Sequence, residues 1–422
     1  MTGLRQIARE VLEANWCEGA TVDGVPYAYT RPSRERYPEQ FFWDSCLIAL
    51  AWSRLDPARA RAELRSLVAA QRPDGHIGHT IFWRAPVRLS RTPGYNVMRR
   101  SDRATWTIQP PLLAWAWAEV ADRSPDDPGF REEGIAPALA LHRWLERERA
   151  DDDGLLGILQ PDESGLDATP AYDAPLGRRA HPRPGFLRLV RANRRRRFSY
   201  RRAVAEGDFH ATDVLVNSAW SMAWSGLARL GHAPARDRAR QVADAMVARL
   251  LHDDGLMYSR GPGGRPLPVA TWASLAPLAM DDLPDEVGHR MVRDHLLDPA
   301  RFWLPYPIPS TSAAEPAFRP GAQGWPAPRY WRGPTWLFTP SFVLPGLLRL
   351  GYRDEAAHLV GRSCRLVADQ GLREYYDPYT GAGLGARRFS VSAVVVDLAE
   401  RVGGGPLHSG HDSIPPSGEV TG

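Results

Sequence analysis

Apolar residues recur along most of this chain at spacings of three and four, the pattern of amphipathic helices, and cap and breaker residues divide it into segments. The spacing predicts helices near 2–15, 40–54, 56–71, 108–122, 134–150, 209–231, 234–251, 269–280, 284–297, 334–351, 353–370 and 388–402. The third shows the logic: Asp56 stands at an N-cap, Pro57 opens the first turn, and Leu64, Leu67 and Val68 share one face. Arg229-Leu230-Gly231 and Arg349-Leu350-Gly351 each end one apolar helix just before another begins, a tight helical hairpin and a weak internal repeat.

Connection lengths then suggest the architecture. The second and third, sixth and seventh, eighth and ninth, and tenth and eleventh helices are joined by very short turns. Most other connections are long and rich in Pro, Gly and aromatic residues. If successive helices run antiparallel, the long loops all open at one end. This predicts an all-α fold, a ring of six helical hairpins or (α/α)6 toroid, with an active site at one mouth. Residues 1–402 read as a single catalytic domain, 174–208 as an arginine-rich loop or lid inserted in it, and 403–422 as a disordered tail of Gly, Pro, Ser and His.

The 422 residues are 43% hydrophobic, enough for a large core, and no stretch of the N-terminus is apolar enough for a signal peptide or membrane span. That points to a cytoplasmic protein with no membrane partner. Cys17, Cys46 and Cys364 stand apart, so they suit buried thiols better than a disulfide framework or a metal site. The formal net charge is +4, but all 53 basic residues are arginine, which reflects codon usage more than selection for nucleic acid. Phosphate-loop, HExxH, CxxC-pair and GxSxG motifs are all missing from the sequence, and no cofactor or metal is implied. The sequence leaves the oligomeric state open.

Candidate chemistry gathers in the long loops. Two acidic motifs, ESGLDATPAYD at Glu163–Asp173 and REYYDPYTG at Arg373–Gly381, accompany FFWDS at Phe41–Ser45 and YWRGPTW at Tyr330–Trp336. Charged groups among Gly, Pro and aromatic residues suit a sugar cleft, where rings stack on apolar sugar faces and charges bind hydroxyls. Acetal hydrolysis needs an acid on the leaving oxygen and a base or nucleophile on the other face of the sugar. Asp167, after Gly165 and before Pro170, projects from a tight loop among small residues and is the candidate general acid; partial burial would raise its pKa, with Glu163 or Asp173 nearby as like charges. Taken alone, Asp167 reads equally well as a turn residue.

Glu374 is the candidate base. Asp44, in the first turn of a helix after Phe42 and Trp43, would hold two hydroxyls or simply favour the helix start. Trp331 and Trp336 would stack on sugar, with one of them structural, and Arg332 would hold a hydroxyl or a catalytic carboxylate. Gln109, Trp83, Gly165, Tyr172 and Tyr375 complete the candidate substrate-binding set. The eleven arginines from Arg178 to Arg202 would bind nucleic acid or, better, face an anionic part of a small substrate.

Taken together, FFWDS, ESGLD, YWRGPTW and REYYDPYTGAGLGARRFSVSA resemble glycoside hydrolase family 63 and its trehalase-like relatives, and are most similar to the bacterial mannosylglycerate and glucosylglycerate hydrolases within it. The motifs run in the family's order from about Tyr37 to Leu398. The resemblance implies an (α/α)6 barrel and inversion at an α-linked sugar of a small soluble carbohydrate. It also implies Asp167 as acid, Glu374 as base, and Trp43, Asp44, Gln109, Trp331 and Arg332 in the glycosyl subsite. Three departures stand out: Asp162 and Ala168 replace the Trp and Asn of the family's WESGMDNSP, and Val391 replaces the Trp of FSWTA. A trehalase, an oligosaccharide α-glucosidase or a catalytically silent glycan-binding protein are the alternatives.

Overall fold

The helix Phe42–Leu55 is buried on nearly every side, whereas the next one, Pro57–Ala69, buries only one stripe. This contrast recurs along the chain in a computed structural model that describes residues 2–84, 95–99, 101–177, 182–321 and 330–403. A helix apolar all round belongs inside, and an amphipathic one outside. Val214–Leu230 is likewise wrapped by protein, while Ala235–Leu250 and Arg353–Gln370 turn their charged faces to water.

The inner elements pack in sequence around a ring. Phe42–Leu55 lies against Leu113–Ala121, which lies against Val214–Leu230, then the 3-10 helix Trp272–Ala279, then Thr339–Phe342 with Leu344–Arg349. Ser390–Val394 and Val395–Arg401 pack back on Phe42–Leu55, and the outer Arg353–Gln370 contacts both Leu344–Arg349 and Val395–Arg401. Thr2–Asn15, Pro57–Ala69, Ile135–Arg149, Ala235–Leu250, Asp285–Met291 and Arg353–Gln370 form the outer layer. The architecture is the expected (α/α)6 toroid. Gly231 and Gly351 both take left-handed conformations at the repeated hairpin turns, and Asp56 caps its helix by accepting from the amides of Ala58 and Arg59.

Several predicted helices are shorter or tighter than their apolar pattern suggests, and prolines explain most of it. Pro110 and Pro111 hold the chain extended, so the helix expected from 108 begins at Leu113. Pro277 cannot donate within Trp272–Ala279, which winds as a 3-10 helix. Pro340 and Pro345 divide 334–351 into a 3-10 turn and a short helix. The stretch from 388 starts as the 3-10 helix Ser390–Val394, where Ser390 and Ser392 donate instead to the carbonyls of Arg31 and Arg373.

The periodicity gave no sign of four two-stranded antiparallel sheets carried by the connections. They are β1 (Trp16–Ala20) with β2 (Pro26–Thr30), β3 (Gln40–Phe41) with β4 (Thr80–Ile81), β5 (Gly157–Ile158) with β6 (Ala211–Thr212), and β7 (Arg373–Tyr376) with β8 (Gly383–Arg387). The arginine-rich segment also differs from the expected loop: it winds into the helices Pro182–Arg195 and Tyr200–Ala205. Arg194 donates to the carbonyls of Val97 and Tyr95, and Asn193 to Leu159 and Gln160. This segment therefore docks on the stretch leading to Asp167.

Cys46 and Cys364 are buried free thiols, while Cys17 is half-buried. Among the described residues no helix is long and apolar enough to cross a membrane. The proposed disordered tail, beyond Gly403, lies outside the described residues.

Candidate active site

The connections that lead into the inner elements, with the first turn of Phe42–Leu55, supply the walls of an open-mouthed pocket. Pairing of β3 with β4 brings Phe41 beside His79, ring centroids 5.8 Å apart, and the helix that follows places Trp43 and Asp44 in its first turn. The extended Ile108–Pro111 segment carries Gln109, whose side-chain oxygen accepts the Trp43 amide at 3.0 Å. Trp43 in turn meets Phe338 edge-on at 5.1 Å. Trp331 and Trp336 stack at 4.1 Å and 8°. The lining is completed by Tyr37, Gly165, Asp167, Tyr330, Glu374, Phe389 and Val391, around about 600 Å³ of empty space including the mouth.

Gly165 is essential to this geometry. It ends the 3-10 turn Pro161–Ser164 with φ of 79°, and a Cβ there would lie 2.6 Å from the Trp43 ring. Only glycine lets the acidic loop cross the indole. Two residues on, Asp167 reaches the pocket, where water touches it through the mouth while protein surrounds it elsewhere. Tyr330 donates to its Oδ2 at 3.2 Å. Burial raises its pKa, the negative charge of Glu374 adds to the rise, and the Tyr330 hydrogen bond opposes it, leaving a value of about 6.

Glu374 occupies a contrasting environment. The register of β7 and β8 shifts between Arg373↔Arg387 and Tyr375↔Leu384, so that Gly385 and Ala386 together oppose Glu374. Such a bulge re-aims a side chain. Gly385 has φ of 65°, and a Cβ on it would strike Glu374 Oε2 at 2.6 Å. Glu374 is buried and its carboxylate accepts three hydrogen bonds: Tyr37 Oη on Oε1 at 2.9 Å, and Arg36 Nη1 and the Ala386 amide on Oε2 at 2.9 and 2.7 Å. Asp44 lies between the two roles. Burial, opposed by its own helix amide and reinforced by the charges of Asp167 and Glu374, pushes its pKa up to about 7. Burial lowers His79 to about 3, so it lines the pocket as a neutral imidazole.

Of the sequence candidates, the pocket gathers Asp167, Glu374, Trp43, Asp44, Gln109, Gly165, Trp331 and Trp336. Phe42, Trp83, Tyr172, Arg332 and Tyr375 stand outside its lining. Phe42 is core, and Trp83 stacks on Tyr27 and donates to Gln40. Tyr172 is buried and donates to Asp213. Arg332 grips both oxygens of Asp173 at 2.7 and 2.6 Å, and Tyr375 supports Trp336 from 5.0 Å. Glu163 and Asp173 are each neutralised by an arginine, so the like charge acting on Asp167 is Glu374 instead.

Arg36, Tyr37, His79, Tyr330 and Phe338 were not singled out in the sequence. Tyr330 is the first residue of YWRGPTW, and Tyr37 and Phe338 lie within a few residues of FFWDS and YWRGPTW, which is the signal the sequence carries for them. Val391, the small residue at the aromatic position of FSWTA, does line the pocket, whereas Asp162 lies buried beneath the acid loop, accepting from Asn96 and Gln160. Among the described residues no group of three or more His, Cys, Asp or Glu side chains is placed to hold a metal ion.

A toroid of paired helices closing on such a carboxylate pocket defines the class: an O-glycoside hydrolase. Residues 37–392 match the model of the mannosylglycerate hydrolase MGH1-like glycoside hydrolase domain, and the chain belongs to that family, within glycoside hydrolase family 63. Mannosylglycerate hydrolase of Thermus thermophilus is 31% identical, with 87% of this chain and 95% of that protein covered. Glucosylglycerate hydrolase of Mycolicibacterium hassiacum is 27% identical over 85% of this chain and 91% of its own. The crystal structure of a family 63 mannosylglycerate hydrolase from Thermus thermophilus with Tris superimposes with a TM-score of 0.83 at 29% identity, covering 94% of this chain and all of that one. The same enzyme was solved with Tris and D-glycerate and with glucose.

Proposed function

We propose that this enzyme hydrolyses a small α-linked mannosyl or glucosyl glycoside of glycerate with inversion, using Asp167 as general acid and Glu374 as general base. In the step, Asp167 gives its proton to the glycosidic oxygen as the bond to the anomeric carbon breaks. A water oxygen bonds to that carbon from the opposite face while Glu374 takes the water's proton, and exchange with solvent restores both carboxyls. The observation that carries the reading is the opposition of their environments in one pocket. Asp167 opens to the mouth, yet the surrounding protein raises it so that it can hold a proton, whereas three donors converge on the enclosed Glu374 as they would on an anion.

The flat faces of Trp43 and the Trp331–Trp336 stack suit a sugar ring, and Asp44 and Gln109 suit its hydroxyls. The complexes of the Thermus enzyme with glucose and with D-glycerate support the choice of substrate. Unpaired Cys17, Cys46 and Cys364 suit a reducing compartment such as the cytoplasm.

Proton NMR of the first minutes of reaction on a panel of mannosylglycerate, glucosylglycerate and trehalose tests this. The β-anomer is expected from a glycerate glycoside, and Asp167→Ala and Glu374→Ala are each expected to abolish its release. Release of the α-anomer, or cleavage of trehalose alone, would overturn the reading.

A further inference from the structure

Glu374 is held from outside the pocket as well as from within it. Ser33–Tyr37 is a tight turn, closed by mutual amide–carbonyl bonds of Ser33 and Tyr37 at 3.4 and 3.0 Å. Its last two residues divide the carboxylate between them: Arg36 takes Oε2 and Tyr37 takes Oε1. The turn is itself fixed. The Ser390 amide donates to the Pro32 carbonyl at 2.9 Å, and the Ser390 hydroxyl bridges Asn15 and the Arg31 carbonyl at 2.8 Å each. Arg36 is not among the lining residues, and its side chain is 57% exposed although it pairs with a carboxylate only 3% exposed. Nothing in a sugar site demands an arginine there for binding.

We infer that Arg36 is a positioning residue for the base: by saturating Oε2 together with the Ala386 amide, it leaves Oε1 as the oxygen that takes the proton from the attacking water. A carboxylate offers about four lone-pair directions. Arg36 and Ala386 occupy both on Oε2, and Tyr37 occupies one on Oε1. The direction left over lies on the oxygen shared with Tyr37, which lines the pocket. Burial, and then the charge of Glu374, raise Tyr37 above its ordinary value, so it stays a donor. Asp167, Asp44, Tyr330 and Tyr375 also feel the charge of this carboxylate and are not cations, while Arg373, the preceding residue, donates to the Gly385 carbonyl and Arg387 follows Ala386. Arg36 is the arginine that pairs directly with the base, at 2.9 Å. The inference rests on Glu374 being the base.

The test uses α-mannosyl and α-glucosyl fluoride, whose fluoride leaves without a proton from Asp167, so that turnover reports the base side alone. Arg36→Gln is expected to lower kcat about tenfold, with KM within about twofold. The acidic limb of kcat/KM is expected to move to higher pH, the direction set by loss of an opposite charge. Arg36→Lys keeps the charge without the fixed fork and is expected to recover part of the rate and most of the limb. Wild-type kcat and pH profile in Arg36→Gln, or a loss confined to KM, would overturn the inference while Glu374→Ala remained inactive. Glu374→Ala turning over the fluorides at the wild-type rate would instead remove the base assignment itself, and this inference with it.

Discussion

Arg149 and Glu163 face each other with both guanidinium Nη atoms on both carboxylate oxygens, at 2.8 and 2.7 Å, and neither side chain is exposed. Glu163 also accepts the amides of Ile108 at 3.0 Å and Leu159 at 2.6 Å. One buried carboxylate thus joins the outer helix Ile135–Arg149, the segment bearing Gln109 and the loop bearing Asp167. Removing one partner strands a buried charge. Arg149→Met is expected to cost about 3–5 kcal/mol in denaturant unfolding. A loss below about 1 kcal/mol would show that the pair does not organise the loop.

Gly165→Ala tests the crossing of the acid loop over Trp43. The new methyl meets the indole at 2.6 Å and the backbone must hold φ of 79°. The expected cost is about 1–3 kcal/mol of stability. A shift of Asp167 by even an ångström is expected to lower kcat/KM by tenfold or more. Unchanged kinetics would mean that the loop relaxes without moving the acid.

The acid must carry its proton, so kcat/KM is expected to fall as pH rises through about 6, the value set at Asp167 chiefly by burial. Tyr330 donates to the charged form and holds that value down. Tyr330→Phe is therefore expected to move the basic limb of the profile to higher pH. A move to lower pH would contradict the assignment.

An ion network joins several helices away from the pocket. Glu119 pairs with Arg123 at 2.9 Å, Arg229 at 2.7 Å and Arg401, while Asp397 pairs with Arg54 at 2.8 Å and Arg401 at 2.6 Å. Burial pushes the Glu119 pKa up, but the charges of Arg401, Arg229 and Arg123 outweigh it and hold it at about 2. A depressed carboxylate stabilises above its unfolded value, about 4.3, and that contribution is lost as pH falls toward 2. Glu119→Gln is expected to lose ~2–3 kcal/mol at pH 7 by chemical denaturation, with the difference closing near pH 2. A deficit independent of pH would point to packing instead of charge.

Much of this protein was legible in its sequence because helices of a toroid announce themselves locally. The spacing of Leu64, Leu67 and Val68, the Asp56 cap and the repeated Leu-Gly turns need no distant partner to be read. The same holds for Asp167 after Gly165 and for the aromatic setting of Asp44 and Trp331. Proline chemistry was equally present in the sequence, at Pro110, Pro277 and Pro340, but the apolar periodicity masked it.

What only the tertiary structure decided is which charged side chains face the pocket and which are neutralised. Arg332 sits beside Trp331 in sequence yet serves Asp173, and Tyr172, five residues from Asp167, serves Asp213. Arg36 reaches Glu374 across 338 positions of chain, and its neighbour Tyr37 across 337. Periodicity reports only which face of a segment avoids water. The partner of a buried charge is set by whichever distant element the ring closure brings within about 3 Å, a distance no local pattern encodes.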